Sequence, residues 1–167
     1  MMDIFELSNN ENSLAKLENA IMRRKFKTKQ ECFNFVAKSL GKNPSAKAKK
    51  LFLSALKHEE ILSSRVVYPD TKKCLRNLVK KYKVGLISNT PMYGMKFLEK
   101  NGITLLLDAD VRSYECGAIK PEKKIFQICL KKLNSKPWEC VMVGDTFKSD
   151  IEPALKLGMN AILIERE

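Results

Sequence analysis

An α/β fold, with a parallel sheet flanked by helices on both faces and a helical block ahead of it, is predicted by three features of the sequence. Short apolar runs rich in β-branched residues occur at Val84 to Ile87, Val141 to Val143 and Ala161 to Ile164, each too short for a helix. Amphipathic helical stretches separate these runs, the alternation that marks a parallel sheet. The first 65 residues or so show helical periodicity and, after the opening positions, no strand signal.

Composition sets the outer bounds. With 167 residues the chain can build one domain with a real core and a small helical appendage. Hydrophobic residues at 44% and charged residues at 30% fit a globular protein and argue against disorder. No apolar run approaches the roughly 20 residues of a membrane span, and no signal-peptide pattern is present. The cysteines (Cys32, Cys74, Cys116, Cys129, Cys140) are scattered without a CxxC pair, so reduced, mostly buried thiols and a cytoplasmic location are expected.

A formal net charge of +12 raises the question of an anionic partner. The lysines fall in short clusters, such as Lys72 and Lys73 or Lys80, Lys81 and Lys83, on or beside helices with an apolar stripe. Each cluster reads most simply as a solvated face. Nucleic-acid binding is disfavoured, because arginines are few and the aromatics sit at core spacing. A field that draws in a small phosphorylated substrate needs only the overall charge.

Leu14, Leu17 and Ile21 recur at helical spacing between Asn12 and about Phe26. A second helix follows Thr28 as N-cap, carries Phe33, Val36, Ala37 and Leu40 on one stripe, and stops at Gly41. Ser45 caps a third, with Ala48, Phe52, Ala55 and Leu56 on one face. His58, in a KHEE run, reads as a surface residue. The character changes at Val66, which divides a helical region 1–65 from an α/β region 66–167. A Tyr68-Pro69-Asp70-Thr71 turn leads into a helix with Leu75, Leu78, Val79 and Tyr82. The strand at Val84 to Ile87 is halted by Ser88-Asn89-Thr90-Pro91, and the next helix ends at Asn101-Gly102. Leu105 to Val111 gives a weaker strand signal. A helix with Ile125, Phe126, Cys129 and Leu133 on one face then precedes the Val141 strand, and a last helix from about Ile151 to Gly158 precedes the final strand.

The chemistry-bearing residues sit in the loops after strands, where open α/β sheets place their ligands. Ser88 and Asn89 follow the first strand, Lys120 lies in the loop after the second, and Asp145 and Asp150 follow the third. A hydroxyl and backbone amides can hold phosphoryl oxygens, a lysine can offset their charge, and paired carboxylates suit a hard cation such as Mg²⁺. Each has a bland alternative: Ser-Asn-Thr-Pro is good turn chemistry, Lys-Pro can be a loop before a helix, and Asp150 can be an N-cap. The joint placement at one sheet edge favours a site.

LISNT at 86–90, SYECGAIKPEKKIF at 113–126 and VMVGDTFKSDIEPALKLGMNAILI at 141–164 resemble, in order and spacing, the second, third and fourth motifs of the haloacid dehalogenase-like hydrolase superfamily. The likeness covers roughly the last 100 residues. It implies a Rossmann-like core and, for most members, Mg²⁺-dependent phosphoryl transfer through an aspartyl-phosphate. Carried over, Ser88 binds the transferring phosphoryl group with Asn89 beside it, and Lys120 stabilises charge on nucleophile and phosphoryl group. Asp145 ligates Mg²⁺ and Asp150 supports the metal site. The helical block resembles the superfamily's small α-helical cap, and the acids after Gly144 favour a phosphatase over a dehalogenase.

The superfamily's first motif, Asp-x-Asp-x-Thr or Val at the end of a central strand, has no counterpart here. Laying Ile4 to Asn10 along it puts Glu6 at the nucleophile, Ser8 at the acid/base and Asn10 at the hydroxyl, a degenerate site. The other reading is a longer protein whose upstream part carries the motif. Either way the superfamily's central slot, between the strands at 84–87 and 140–143, must be filled to satisfy their edges. Met2 to Leu7, an upstream segment or a second chain in a homo-oligomer are the candidates. A catalytically inactive protein that binds a phosphorylated ligand or a protein partner is the second functional expectation.

Overall fold

The computed structural model describes residues 11–61, 67–92 and 96–166. The readings of Glu6, Ser8 and Asn10, of Met2 to Leu7 as a strand, of the His58 side chain and of a boundary at Val66 fall outside what it describes. Three helices come first: α1 (Glu11–Met22), α2 (Lys29–Ser39) and α3 (Ala46–Ile61). Thr28 caps α2 as expected, accepting from the Glu31 N–H at 3.0 Å, while the Glu31 carboxylate accepts from the Lys27 N–H at 2.7 Å. Ser45 accepts from the Ala48 N–H at the start of α3. Leu17, Ile21, Phe26, Phe33, Val36, Phe52 and Leu56 close into a core of their own, in which the Phe33 and Phe52 rings meet edge to face at 5.4 Å.

The α/β part follows as α4 (Thr71–Leu78), β1 (Gly85–Ser88), α5 (Lys96–Lys100), β2 (Ala109–Arg112), α6 (Ser113–Cys116), α7 (Lys123–Leu133), β3 (Val141–Gly144), α8 (Glu152–Lys156) and β4 (Asn160–Leu163). Strand ends shift by a residue from the periodicity, and the weak signal at Leu105 to Val111 divides into a 3₁₀ turn at Thr104–Leu106 and the strand β2. Between Asp145 and α8 the chain forms a π-helical turn, Phe147–Ile151, where a plain polar turn was expected.

All strand pairs are parallel. Ser88 pairs with Arg112 and Gly144 with Leu163, so the strand ends are in register within each pair. Among the described residues the strands form two parallel pairs, β1 with β2 and β3 with β4, and no strand joins β1 to β3, the two strands between which the sequence reading leaves a slot. Helix α7 packs across β1 and β2, and Ile125, Phe126, Cys129 and Leu130 join Val111, Ile87, Met142 and Ala154 in one core that spans both pairs.

Two apolar surfaces depart from expectation. Val141 and Val143, read as buried, are 53% and 50% exposed, and Ile162 beside Val143 is 54% exposed. Alternate residues of a strand face opposite sides, so Met142 meets the core while the valines face away from it. Helix α4 has the expected apolar stripe, yet none of its residues is buried and Tyr82 beyond it is 65% exposed. Apolarity in a sequence says that a face wants covering, not that a layer lies over it. Among the described residues no helix is long and apolar enough to cross a membrane.

The helical block meets the α/β part through side chains. Arg23 donates to both carboxylate oxygens of Glu122, and Lys25 lies 3.3 Å from the Glu115 carboxylate. Hydrogen bonding from Arg23 holds the Glu122 carboxyl below its usual range. A depressed carboxylate contributes stability above its unfolded range and loses it as the pH falls through the folded value. The melting-temperature gap between wild type and Glu122→Gln should therefore close on acidification below about pH 4, from a difference of at most about 1 kcal/mol at neutral pH.

All five cysteines are free thiols, but only Cys32 and Cys129 are buried; Cys116 and Cys140 are half-buried and Cys74 is exposed. Burial pushes the Cys32 thiol up to about 12 and Cys129 to about 11. Since the thiolate is the reactive form, a maleimide at neutral pH should label Cys74 first and leave Cys32 and Cys129 unmodified until the protein unfolds. Mass spectrometry of the labelled native protein reads this directly.

Candidate active site

Ser88 ends β1 and Gly144 ends β3, and the turns after these strands come together through Lys120, which meets Asn89 after the first and Asp150 after the second. Lys120 enters from the loop between α6 and α7. Its ammonium meets the Asp150 carboxylate at 2.6 Å, with the two side chains only 14% and 4% exposed. Two residues 30 positions apart in sequence thus form a buried ion pair across the strand ends.

Asp150 is held from three directions. Oδ1 accepts from Lys120 and from the Ser149 hydroxyl, the latter at 3.2 Å, and Oδ2 accepts from the Thr146 N–H at 3.2 Å. The π-helical turn directs this side chain back under the end of β3. Gly144 makes room for it: a Cβ there would lie 2.5 Å from the Asp150 Cβ and 2.6 Å from Oδ2. Asp145 differs in every respect. It is exposed, and its Oδ1 accepts only from the Thr146 hydroxyl at 3.2 Å among the described residues.

Asn89 lies beside Ser88, but its carboxamide turns to the Lys120 main chain, donating to the carbonyl at 3.0 Å and accepting from the N–H at 2.7 Å. The peptide between Lys120 and Pro121 is cis. Next along, Thr90 is 3% exposed, and its N–H donates to the Ser113 hydroxyl at 2.9 Å.

Among the described residues no group of three or more His, Cys, Asp and Glu side chains gathers around a common point. That donor set suits few metals, but Mg²⁺ typically takes one or two carboxylates and completes its shell with water and phosphate oxygens. Asp145 is an accessible hard oxygen donor. Asp150 has three protein donors on its two oxygens, and a carboxylate accepts about four hydrogen bonds, so most of its capacity is already used. Of the two carboxylates, Asp145 keeps more of its acceptor capacity available to a hard cation.

Residues 45–158 match the family model described as haloacid dehalogenase-like hydrolase, well over half of the chain. The chain belongs to the haloacid dehalogenase-like hydrolases. The match begins at Ser45, inside the helical block, and so reaches further upstream than the motifs alone. A glyceraldehyde 3-phosphate phosphatase of Methanothermobacter thermautotrophicus is 38% identical over 102 residues, which cover 60% of this chain and 45% of that protein. The chain therefore spans less than half the length of this curated relative. A crystal structure of an HAD phosphatase from Thermococcus onnurineus superposes with a TM-score of 0.60 at 28% identity, over 99% of this chain and 74% of that one. An HAD family enzyme of Bacteroides thetaiotaomicron, solved in complex with magnesium and inorganic phosphate, shares the fold with a TM-score of 0.61 at 23% identity, over 91% of this chain and 74% of that one. The parallel α/β fold is thus the Rossmann-like core of this hydrolase family.

Sequence reasoning named Ser88, Asn89, Lys120, Asp145 and Asp150, and missed what Gly144, Ser113 and Thr146 contribute. Gly144 had a readable signal, a glycine between a strand and an acid. The Ser113 hydroxyl had none, because its partner Thr90 lies in a separate loop; the Thr146 N–H meets Asp150 four residues on only because the chain takes a π-helical turn there, which no side-chain pattern announces.

Removing one partner of a buried ion pair leaves the other uncompensated. Asp150→Ala should lower unfolding stability by about 3 kcal/mol in a urea titration, while the paired change Lys120→Met with Asp150→Leu should recover much of the loss. Equal losses in the single and paired variants would sink the claim that the pair is energetically coupled.

Proposed function

We propose that this chain carries the lysine-, serine- and carboxylate-bearing part of a Mg²⁺-dependent phosphatase site for a small phosphorylated metabolite. The supporting observation is the buried Lys120–Asp150 pair at the strand end that also holds Ser88 and Asp145. A cation already paired to a carboxylate beside an exposed second carboxylate is an arrangement that can exchange partners with a phosphoryl group. The phosphatase names among the relatives support the same reaction class.

In this reading the Ser88 hydroxyl and neighbouring main-chain N–H groups donate to the phosphoryl oxygens. Lys120 offsets the charge that builds on them and on the attacking group. Asp145, with Asp150 behind it, would hold Mg²⁺, which when bound would neutralise phosphoryl charge and orient the group for in-line displacement. The attacking carboxylate is not among the described residues. By the family resemblance its place is the end of a parallel strand between β1 and β3, each of which carries one unpaired edge among the described residues. Residues 66–167 form the core in this reading, and residues 1–65 the helical cap, tied to it beside Lys120 by Arg23 and Glu122.

A second reading follows because no such carboxylate stands among the described residues: a protein that binds a phosphorylated ligand without turnover. One assay separates them. Release of inorganic phosphate from glyceraldehyde 3-phosphate and from an aryl phosphate is measured for this chain and for the longest in-frame product of its coding region, with Mg²⁺ or with EDTA. The phosphatase reading expects Mg²⁺-dependent turnover that Lys120→Ala and Asp145→Asn each reduce by at least about 100-fold. Phosphate binding with no turnover in either protein favours the binding reading.

A further inference from the structure

Asn89 and Ser113 share an uncommon feature: each satisfies both main-chain groups of one residue in a neighbouring loop. The Asn89 carboxamide donates to the Lys120 carbonyl at 3.0 Å and accepts from the Lys120 N–H at 2.7 Å. The Ser113 hydroxyl donates to the Thr90 carbonyl at 3.0 Å and accepts from the Thr90 N–H at 2.9 Å. In a sheet, a partner strand satisfies such groups; here two side chains do it in loops that have no ladder. Ser113 is fully buried and Thr90 nearly so, and buried main-chain groups must be paired. The partners also fix which end of the Asn89 carboxamide is nitrogen, since a carbonyl cannot donate and an N–H cannot accept.

These bonds join the residues after Ser88 to both ends of the segment from Ser113 to Lys120. Asn89 holds Lys120, and Thr90 holds Ser113. The Lys120 side chain then reaches Asp150, and Asp150 reaches the Thr146 N–H. One unbroken series of contacts thus links the turns after β1 and β3 through the lysine loop.

We propose that Asn89 and Ser113 are positioning residues that hold Ser88 and Lys120 in fixed relation, and that Asn89 acts through Lys120 instead of as a phosphate ligand. The proposal rests on the reading of Ser88 and Lys120 as the phosphate-facing pair. A ligand role for Asn89 and a positioning role differ in what happens to Lys120. Loss of a ligand leaves the lysine where it was. Loss of the carboxamide leaves the Lys120 N–H and C=O unpaired, and the ammonium loses its fixed approach to Asp150.

Reductive dimethylation of the whole chain, quantified lysine by lysine by mass spectrometry, reads this without turnover. In the wild type Lys120 should react far more slowly than the exposed Lys123 and Lys124 of the same peptide region. Asn89→Ala should raise the Lys120 rate by about tenfold, the scale of one lost hydrogen-bonded contact, and leave Lys83 and Lys132 unchanged. Those two lysines hold main-chain carbonyls elsewhere, at Leu133 and Asp110, and report on overall folding. Asn89→Asp keeps the acceptor for the Lys120 N–H and loses the donor, so it should give a smaller, still selective rise. Ser113→Ala should move Lys120 in the same direction.

An unchanged Lys120 rate in Asn89→Ala, with weakened binding of inorganic phosphate, makes Asn89 a ligand and overturns the proposal. If Asn89→Ala raises every lysine, Asn89→Asp decides: a selective rise at Lys120 supports positioning, and no rise refutes it. Titration of the wild type with inorganic phosphate and Mg²⁺ tests the underlying reading separately. A wild type that binds no phosphate removes the functional reading, while a selective Lys120 response would still establish what Asn89 holds.

Discussion

The buried contact between Lys120 and Asp150 sets the terms for everything around it. Two charges removed from water are tolerated only when their remaining donors and acceptors are also met. Asp150 meets that condition through the Ser149 hydroxyl and the Thr146 N–H, which requires the chain to turn tightly between Asp145 and α8. That turn brings the carboxylate so close to the end of β3 that residue 144 can have no Cβ. Lys120, for its part, must arrive with its main chain held, and Asn89 holds it. One electrostatic constraint thus explains a glycine, a π-helical turn and an asparagine that would otherwise look unrelated.

The same contact crosses a division in the backbone. Strands β1 and β2 form one parallel pair and β3 and β4 another, with no ladder between them among the described residues. What unites the pairs is the apolar core that α7 shares with both, and the ion pair at their ends. Strands that carry an unpaired edge normally have it covered or blunted. Here β1 and β3 each keep one unpaired edge among the described residues, and the exposed valines of β3 add an apolar face.

Much of this was legible before any coordinates. Ser88, Lys120, Asp145 and Asp150 could be named because strand ends are visible as apolar runs that stop, and ligands of parallel sheets gather there. Helix caps at Thr28 and Ser45 were equally readable, since a cap and its partner lie three residues apart. The difference in burial between the two aspartates was not. Both are acids near the end of β3, and only packing decides that Asp150 is enclosed and paired while Asp145 faces solvent. The partner of the Asn89 carboxamide was hidden for the same kind of reason. The neighbour of Asn89 in sequence is Ser88, but its partner in space is 31 residues away.

By itself, the sequence determined the local periods: which segments are helices, which are strands, where each stops and which chemistry stands at each stop. Those properties follow from side-chain size, branching and spacing over a few residues, and the motifs at the strand ends carry the resemblance to the hydrolase family. Tertiary structure decided the pairings that act over tens of residues. It separated the strands into two pairs, left Val141 and Val143 uncovered, buried one aspartate against Lys120 and set the Asn89 carboxamide against the Lys120 main chain. Such outcomes depend on which surfaces meet after the chain has folded back on itself, and no window of neighbouring residues contains that information.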